Sequence, residues 1–302
     1  MTISGEETSY DFEILSADRS GNPWAEVVRK LRQDKTAMIG LLVFVIICLA
    51  CVMAPLLTKW EYSSINTDYT LAPPSREHIM GTDNIGRDVF SRMLYGGRST
   101  LRIAAGSSVI ALIAGSALGL AAGYFGRGVD YIISPVLDVF AAVPILLLVI
   151  VFENALGWGQ GNFMYAMAIA AVPQFARLVR ASVLSIMESG YIEAARCLGI
   201  GHLKIIFKHI LHNSAPPIIV RFTTCLAEAI VMCTIMGYIG IGVTPPKPEW
   251  GRIVFTGKAH FRLHPHLIII PCIVIIVTIV SISLFGDGLR SALDPMDEVT
   301  AD

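Results

Sequence analysis

Residues 37–57 read AMIGLLVFVIICLACVMAPLL, a run without one charged side chain. At about 1.5 Å of rise per residue, a helix of this length crosses the roughly 30 Å of hydrocarbon in a bilayer. Working outward, Arg29, Lys30, Arg32 and Lys35 precede the run, and only Lys59 follows it closely. Positive charge gathers on the cytoplasmic flank of a span, so this imbalance places the N-terminus in the cytoplasm. The basic residues interleave with Trp24, Val27, Val28 and Leu31 at helical spacing, which predicts an amphipathic helix over 24–35 lying on the membrane surface. Residues 1–20 are acidic and hydroxyl-rich and read as a mobile tail, so 1–36 form a cytoplasmic tail and amphipathic helix. With so polar a start there is no cleavable signal peptide, and the first span acts as its own insertion signal.

The same reading extends to the whole chain. Apolar residues make up 54% and charged residues 16%, with a mean hydropathy of +0.63. A soluble domain of this length carries about a quarter of its residues as charges, so the excess apolar surface faces lipid. The formal net charge of −1 and the lack of a basic stripe with interleaved aromatics exclude nucleic acid as a partner.

Further spans are predicted at 103–125, rich in Gly and Ala and so open to close helix packing, and at 132–152, interrupted by Asp138 and Pro144. Others follow at 163–176, extended past Arg177 and Arg180, at 215–243 and at 267–285. Six crossings make an all-α polytopic membrane protein and return the C-terminus, 291–302, to the cytoplasm. The polar stretch 58–102 is then extracytoplasmic, and 103–290 form a core of five spans with a cytoplasmic loop at 185–213. Both long outer segments hold several basic residues, but the charge rule weights short flanks and the first helix.

That loop contains Glu193-Ala194-Ala195-Arg196-Cys197-Leu198-Gly199. Two small residues beside a carboxylate, ended by a glycine suited to a left-handed cap, predict a short helix. A second amphipathic piece follows, expected to show Leu203, Ile206, Phe207 and Ile210 on one face and Lys204 and Lys208 away from it. Such a helix–turn–helix suits docking into a groove of another protein; an ordinary surface loop is the plainer alternative.

Glu-Ala-Ala with Gly four residues on resembles the EAA loop of bacterial ABC importer permeases. Gly81-Thr82-Asp83-Asn84-Ile85-Gly86-Arg87-Asp88, then Ser91-Arg92 and Gly97-Arg98-Ser99, resembles the outer segment of dipeptide, oligopeptide and nickel permeases, in the second of their two paired subunits. Pro245-Pro246 with Trp250-Gly251, and Gly286-Asp287-Gly288-Leu289-Arg290 with Asp294-Pro295, resemble later signatures of the same group. The resemblance runs from about Trp24 to Pro295. It implies a type I ABC importer permease fold, working with a homologous permease, two nucleotide-binding ATPase subunits and an extracytoplasmic solute-binding protein in the bacterial inner membrane. Glu193, Ala194, Ala195 and Gly199 would dock to the ATPase. ATP and Mg would sit on the partner subunits; this sequence has no phosphate loop of the G-x-x-x-x-G-K-[ST] form. One departure from the pattern, His212 where relatives usually carry proline, predicts a more continuously helical exit from the loop. Peptides are the expected cargo, with nickel or another small solute as the alternative.

Three ionisable residues fall inside predicted spans: Asp138, Arg221 and Glu228. Burying such groups in lipid is costly, so they either line the translocation path or form structural pairs between helices. Arg221 and Glu228 stand seven residues apart, which is expected to be too far for an ion pair along one helix. Pro144, Pro173 and Pro271 are candidate hinges. His260 and His264 have the i,i+4 spacing of a metal pair, but no added carboxylate or Cys completes it, so His260, His264 and His266 read as interfacial residues and no metal is predicted. The six cysteines lie mostly inside apolar runs and read as buried thiols. A secondary transporter would show inverted repeats, and an intramembrane enzyme a catalytic pair at matched depth; neither pattern is present.

Overall fold

The computed structural model describes residues 23–157 and 159–294. The tail at 1–20, Pro295 of the last motif and the tail beyond it lie outside the described residues. Within them the chain is helical, and its one β contact is an isolated bridge between Thr82 and Asp88. The surface helix α1 runs Pro23–Gln33 and the first span α2 runs Lys35–Val52. Between them Asp34 caps α2, accepting from the backbone N–H groups of Thr36 and Ala37.

Helix α3, Val89–Phe125, begins well before the predicted 103. Asp88 caps it through a 2.7 Å bond from the Ser91 N–H, and Val89, Met93, Leu94, Gly97 and Thr100 are buried on its inward face. The arginines and glycines of its first turns gave that stretch the look of a polar loop, whereas burial of one face makes it helix. The third predicted span is two helices, α4 (Arg127–Ala142) and α5 (Ile145–Leu156), meeting at 101°. Pro144 stands at the break and holds Val143 extended (φ −90°, ψ 132°), because the residue before a proline is pushed out of the helical region. Pro173 and Pro271 lie inside helices that continue through them, α6 (Gln160–Met187) and α10 (His266–Leu293).

After α6 come the short helix α7 (Gly190–Cys197), a turn at His202–Lys204, a π-helical stretch at Ile205–Ile210 and then α8 (Leu211–Ile239), with α9 (Trp250–Lys258) before α10. The helix runs without a break from 202 into α8, as His212 in place of proline predicts. Helices α2, α3, α6, α10 and the 202–239 helix are long and apolar enough to cross a membrane, and the bent α4–α5 pair makes up to six spans.

The most extensive pairing is α3 with α6. Gly115, Gly119 and Gly123 of α3 form a bare stripe at four-residue spacing, and a Cβ on Gly119 would stand 2.5 Å from the Ala176 carbonyl oxygen. Following the helices from end to end puts residues 33–36, 126, 188–204 and 293 at one end of the bundle, the α7 end. Residues 58–88, 157–160 and 240–265 gather at the other, the α9 end.

Candidate functional site

The α7 end is built on a turn that only glycine fills without strain. Gly199 has φ +73°, its N–H bonds the Arg196 carbonyl at 2.9 Å, and the Ile200 N–H reaches back to Ala195 at 3.1 Å. These two bonds close the C-terminus of α7 and set its angle to the following helix. Ile192 and Ala195 point inward, where Ile192 packs with Tyr124, Val179, Val183, Ile205, Ile210 and Ile218. The Tyr124 hydroxyl sits 2.6 Å from His202 Nδ1, Arg196 lies over the Tyr124 ring at 5.7 Å, and Asn213 Nδ2 donates to the Tyr191 hydroxyl at 2.8 Å. The segment is thus fixed to α3 and α8.

Its outward side is different. Glu193, Ala194 and Gly199 are exposed, while Ala195 is 6% exposed and serves the inward packing. Leu198, Leu203 and Phe207 stand 81%, 72% and 64% exposed. The sequence places Leu203, Ile206, Phe207 and Ile210 on one face; the structure instead buries Ile205 and Ile210 together. The cause is the π turn, whose i→i+5 bonding brings residues five apart onto one side. Cys197 is also exposed, in contrast to the burial expected of the cysteines, because it lies on the outward side of α7.

The three span charges all have partners, in two separate pairs. Asp138 of α4 accepts from Arg177 Nη2 of α6 at 2.9 Å, with both side chains at least half exposed. Arg221 meets Glu228 through two bonds of 3.2 and 2.9 Å and also donates to Gln174. The expectation that seven residues are too many for this pair fails. Helical side chains lean toward the N-terminus, so Glu228 tilts toward Arg221 and the long arginine stem spans the remainder. Gln174 and Arg177 are three apart on α6, which sets the two pairs side by side. A third pair, Asp130 with Arg180 at 2.6 Å, joins α4 to α6 near the α7 end.

Against known families, residues 115–296 match the binding-protein-dependent transport system inner membrane component. Residues 22–74 match the N-terminal TM domain of oligopeptide transport permease C. The chain is 40% identical to the dipeptide transport system permease protein DppC of Alkalihalophilus pseudofirmus, covering 91% of this chain and 90% of that protein. The chain belongs to this permease family. It is also 37% identical to the glutathione transport system permease protein GsiD of Pectobacterium atrosepticum (90% and 91% covered) and 34% to the oligopeptide transport system permease protein OppC of Bacillus subtilis (94% and 93%). A chain of the inward-facing MetNI methionine ABC transporter superposes with a TM-score of 0.57 at 19% identity, over 68% of this permease and 97% of that chain. The fold is that of ABC importer permeases.

At the α9 end the permease holds a set of buried polar residues. Asp83, 5% exposed, accepts from the N–H groups of Ile85 and Arg87 and pairs with the Arg87 side chain at 2.7 Å and Arg92 at 3.6 Å. Asp88, besides capping α3, bonds His78 Nδ1 at 2.8 Å, and the His78 ring stacks on Trp60. The Gly81-to-Arg92 motif is therefore the framework of this end.

Sequence reasoning missed Glu249. It is 1% exposed, caps α9 through the N–H groups of Gly251 and Arg252 at 2.8 and 2.9 Å, and accepts from Thr100 of α3 at 3.1 Å. Gly237 of α8 leaves room for its carboxylate, where a Cβ would collide. Burial pushes the Glu249 carboxyl up to about 7, against the opposing effect of the hydrogen bonds it accepts. Arg177, Gln174 and the Asp130–Arg180 pair were missed too, although Arg177 and Arg180 one turn apart on α6 match Asp130 and Asp138 two turns apart on α4.

Proposed function

We propose that this permease is the second of two paired membrane subunits in an ATP-driven importer of di- or oligopeptides in the bacterial inner membrane. Peptide cargo is supported by the dipeptide, oligopeptide and glutathione systems to which its relatives belong. A homologous permease completes the path, two ATPase subunits bind ATP and Mg, and a solute-binding protein delivers cargo at the α9 end. The α7 end, with both termini, faces the cytoplasm; Arg29, Lys30, Arg32 and Lys35 lie there beside the first span.

The observation that carries the reading is the α7 segment. Leu198, Leu203 and Phe207 are held in the open beside Glu193 by a glycine cap and a packed inner face, which is the form of a surface waiting for a groove on another protein. Glu193, Ala194, Ala195 and Gly199 are the coupling residues, Ala195 by fixing α7 from within. Closure of the ATPase dimer then moves α7 as a rigid lever and rocks the spans. Asp138, Arg221 and Glu228, with Arg177, line the path, because carboxylates left half or more exposed within the spans need water or protein rather than lipid.

The test is purification from native membranes in mild detergent with identification of copurifying chains. A second permease and ATPase subunits support the reading. The intact chain alone, without ATPase activity, defeats it.

A further inference from the structure

At the α9 end a cavity of about 220 Å³ opens between Tyr62, Tyr95, Arg98, Arg102, Gln160 and Lys247. Three of its walls are cations, and no carboxylate lines it. Arg98 and Arg102 stand one turn apart on α3, where like charges repel, and the 240–249 loop brings Lys247 to the same space. Four other arginines of the helices each meet a carboxylate: Arg92 with Asp83, Arg177 with Asp138, Arg180 with Asp130, Arg221 with Glu228. Among the described residues, Arg98, Arg102 and Lys247 form no ion pair.

The walls are also held in place. The Arg98 guanidinium lies over the Tyr95 ring at 5.6 Å, and Tyr95 packs against Tyr62 with centroids 5.0 Å apart. The Tyr62 carbonyl accepts from Arg92 Nη1 at 3.3 Å, which ties the loop carrying it to α3. A guanidinium fixed by stacking loses little freedom when it takes a carboxylate, and its planar fork matches the two oxygens. The volume falls below the roughly 300 Å³ at which pockets enclose a drug-sized ligand, so it suits one end of a molecule and not the whole.

We propose that Arg98, Arg102 and Lys247 form a site for the terminal carboxylate of the transported solute at the entrance of the path. The inference rests on the peptide-importer reading, in which cargo enters at this end and carries one carboxylate at its C-terminus.

The experiment measures how fast Lys247 is acylated by an amine-reactive ester, by mass spectrometry, in the assembled importer in phosphatidylcholine nanodiscs. N-acetyl-trialanine is compared with its C-terminal amide. The acid is expected to slow the reaction about fivefold, the order of a partly exposed charge pair, and the amide to leave it unchanged. R98Q/R102Q is expected to lose the protection; R102Q alone, changing an exposed side chain, serves if the double variant does not assemble. Equal protection by acid and amide, or none by either, overturns the site. Protection that needs phosphatidylglycerol assigns the cavity to lipid headgroups, and protection by the solute-binding protein without any peptide assigns it to docking; both overturn the solute site. Labelling requires no transport, so an importer that moves no peptide yet shows acid-specific protection keeps the site and loses only the peptide reading.

Discussion

The two ends of this permease satisfy their surfaces in opposite ways. At the α9 end, Asp83, Asp88 and Glu249 are buried acids whose oxygens are taken up by backbone N–H groups, arginines, His78 and Thr100. At the α7 end, Leu198, Leu203 and Phe207 are apolar and open. One end is tied together from within by polar bonds around these three acids. The other is rigid inside and unfinished outside, as a lever must be if a second protein is to push it. Stability is therefore concentrated at the α9 end and coupling at the α7 end, so substitutions at the two should separate cleanly.

The largest expected effect lies in the polar framework. Asp83→Ala removes the partner of Arg92, whose side chain is 4% exposed, and frees the N–H groups of Ile85 and Arg87. Stranding one member of a buried pair costs about 3–5 kcal/mol, so the variant should express poorly or melt far below the wild type in detergent. A wild-type melting curve would break the contrast between the ends.

Next comes the opposite pattern at α7. Glu193→Lys changes an exposed side chain and should move stability by less than about 0.5 kcal/mol. Gly199→Pro cannot adopt φ +73° and misdirects the lever locally. Both variants should insert normally and lose solute-stimulated ATPase activity in the assembled importer. Coupling at the wild-type level in both would remove α7 from the mechanism.

A third test sharpens the description of the α9 end by pH. The Glu249 carboxyl is raised to about 7 from an ordinary value of 4.5. Between those values the folded state holds a proton that the unfolded chain has released, so the contribution of Glu249 to stability is greatest below pH 4.5 and falls as pH rises to about 7. Glu249→Gln fixes the neutral form. The melting temperature of the variant minus that of wild type should increase from pH 5 to pH 8; a constant difference would show that Glu249 does not titrate in this window.

Much of this arrangement was legible in the sequence, and the exceptions have physical causes. The spans showed as apolar runs, the cap at Gly199 as a glycine ending a short helix, and the close packing of α3, though not its partner α6, as glycines within an apolar stretch. The early start of α3 stayed hidden because Arg92 and Thr100 are polar by composition and are buried only where folding brings Asp83 to the one and Glu249 to the other. The face of 202–210 was misassigned because a π turn shifts the period that amphipathic reading assumes. Glu249 looked like an ordinary loop acid, since nothing local reveals that α3, α8 and α9 converge on it.

The smallest expected effect tests the charges between the two ends. Glu228 is half exposed and its partner Arg221 is also held by Gln174, so Glu228→Gln should cost no more than about 1 kcal/mol. If the pair only holds Arg221 in place to tie α8 to α6 through Gln174, the variant transports normally and melts slightly earlier. If it lines the path, freeing the Arg221 cation should change the KM for peptide uptake while expression and melting stay close to wild type. Asp138→Asn gives the parallel measurement on a different helix pair, α4 with α6. A KM change in both variants would place the two pairs on one continuous path along α6, whereas a change in neither would make them struts between helices.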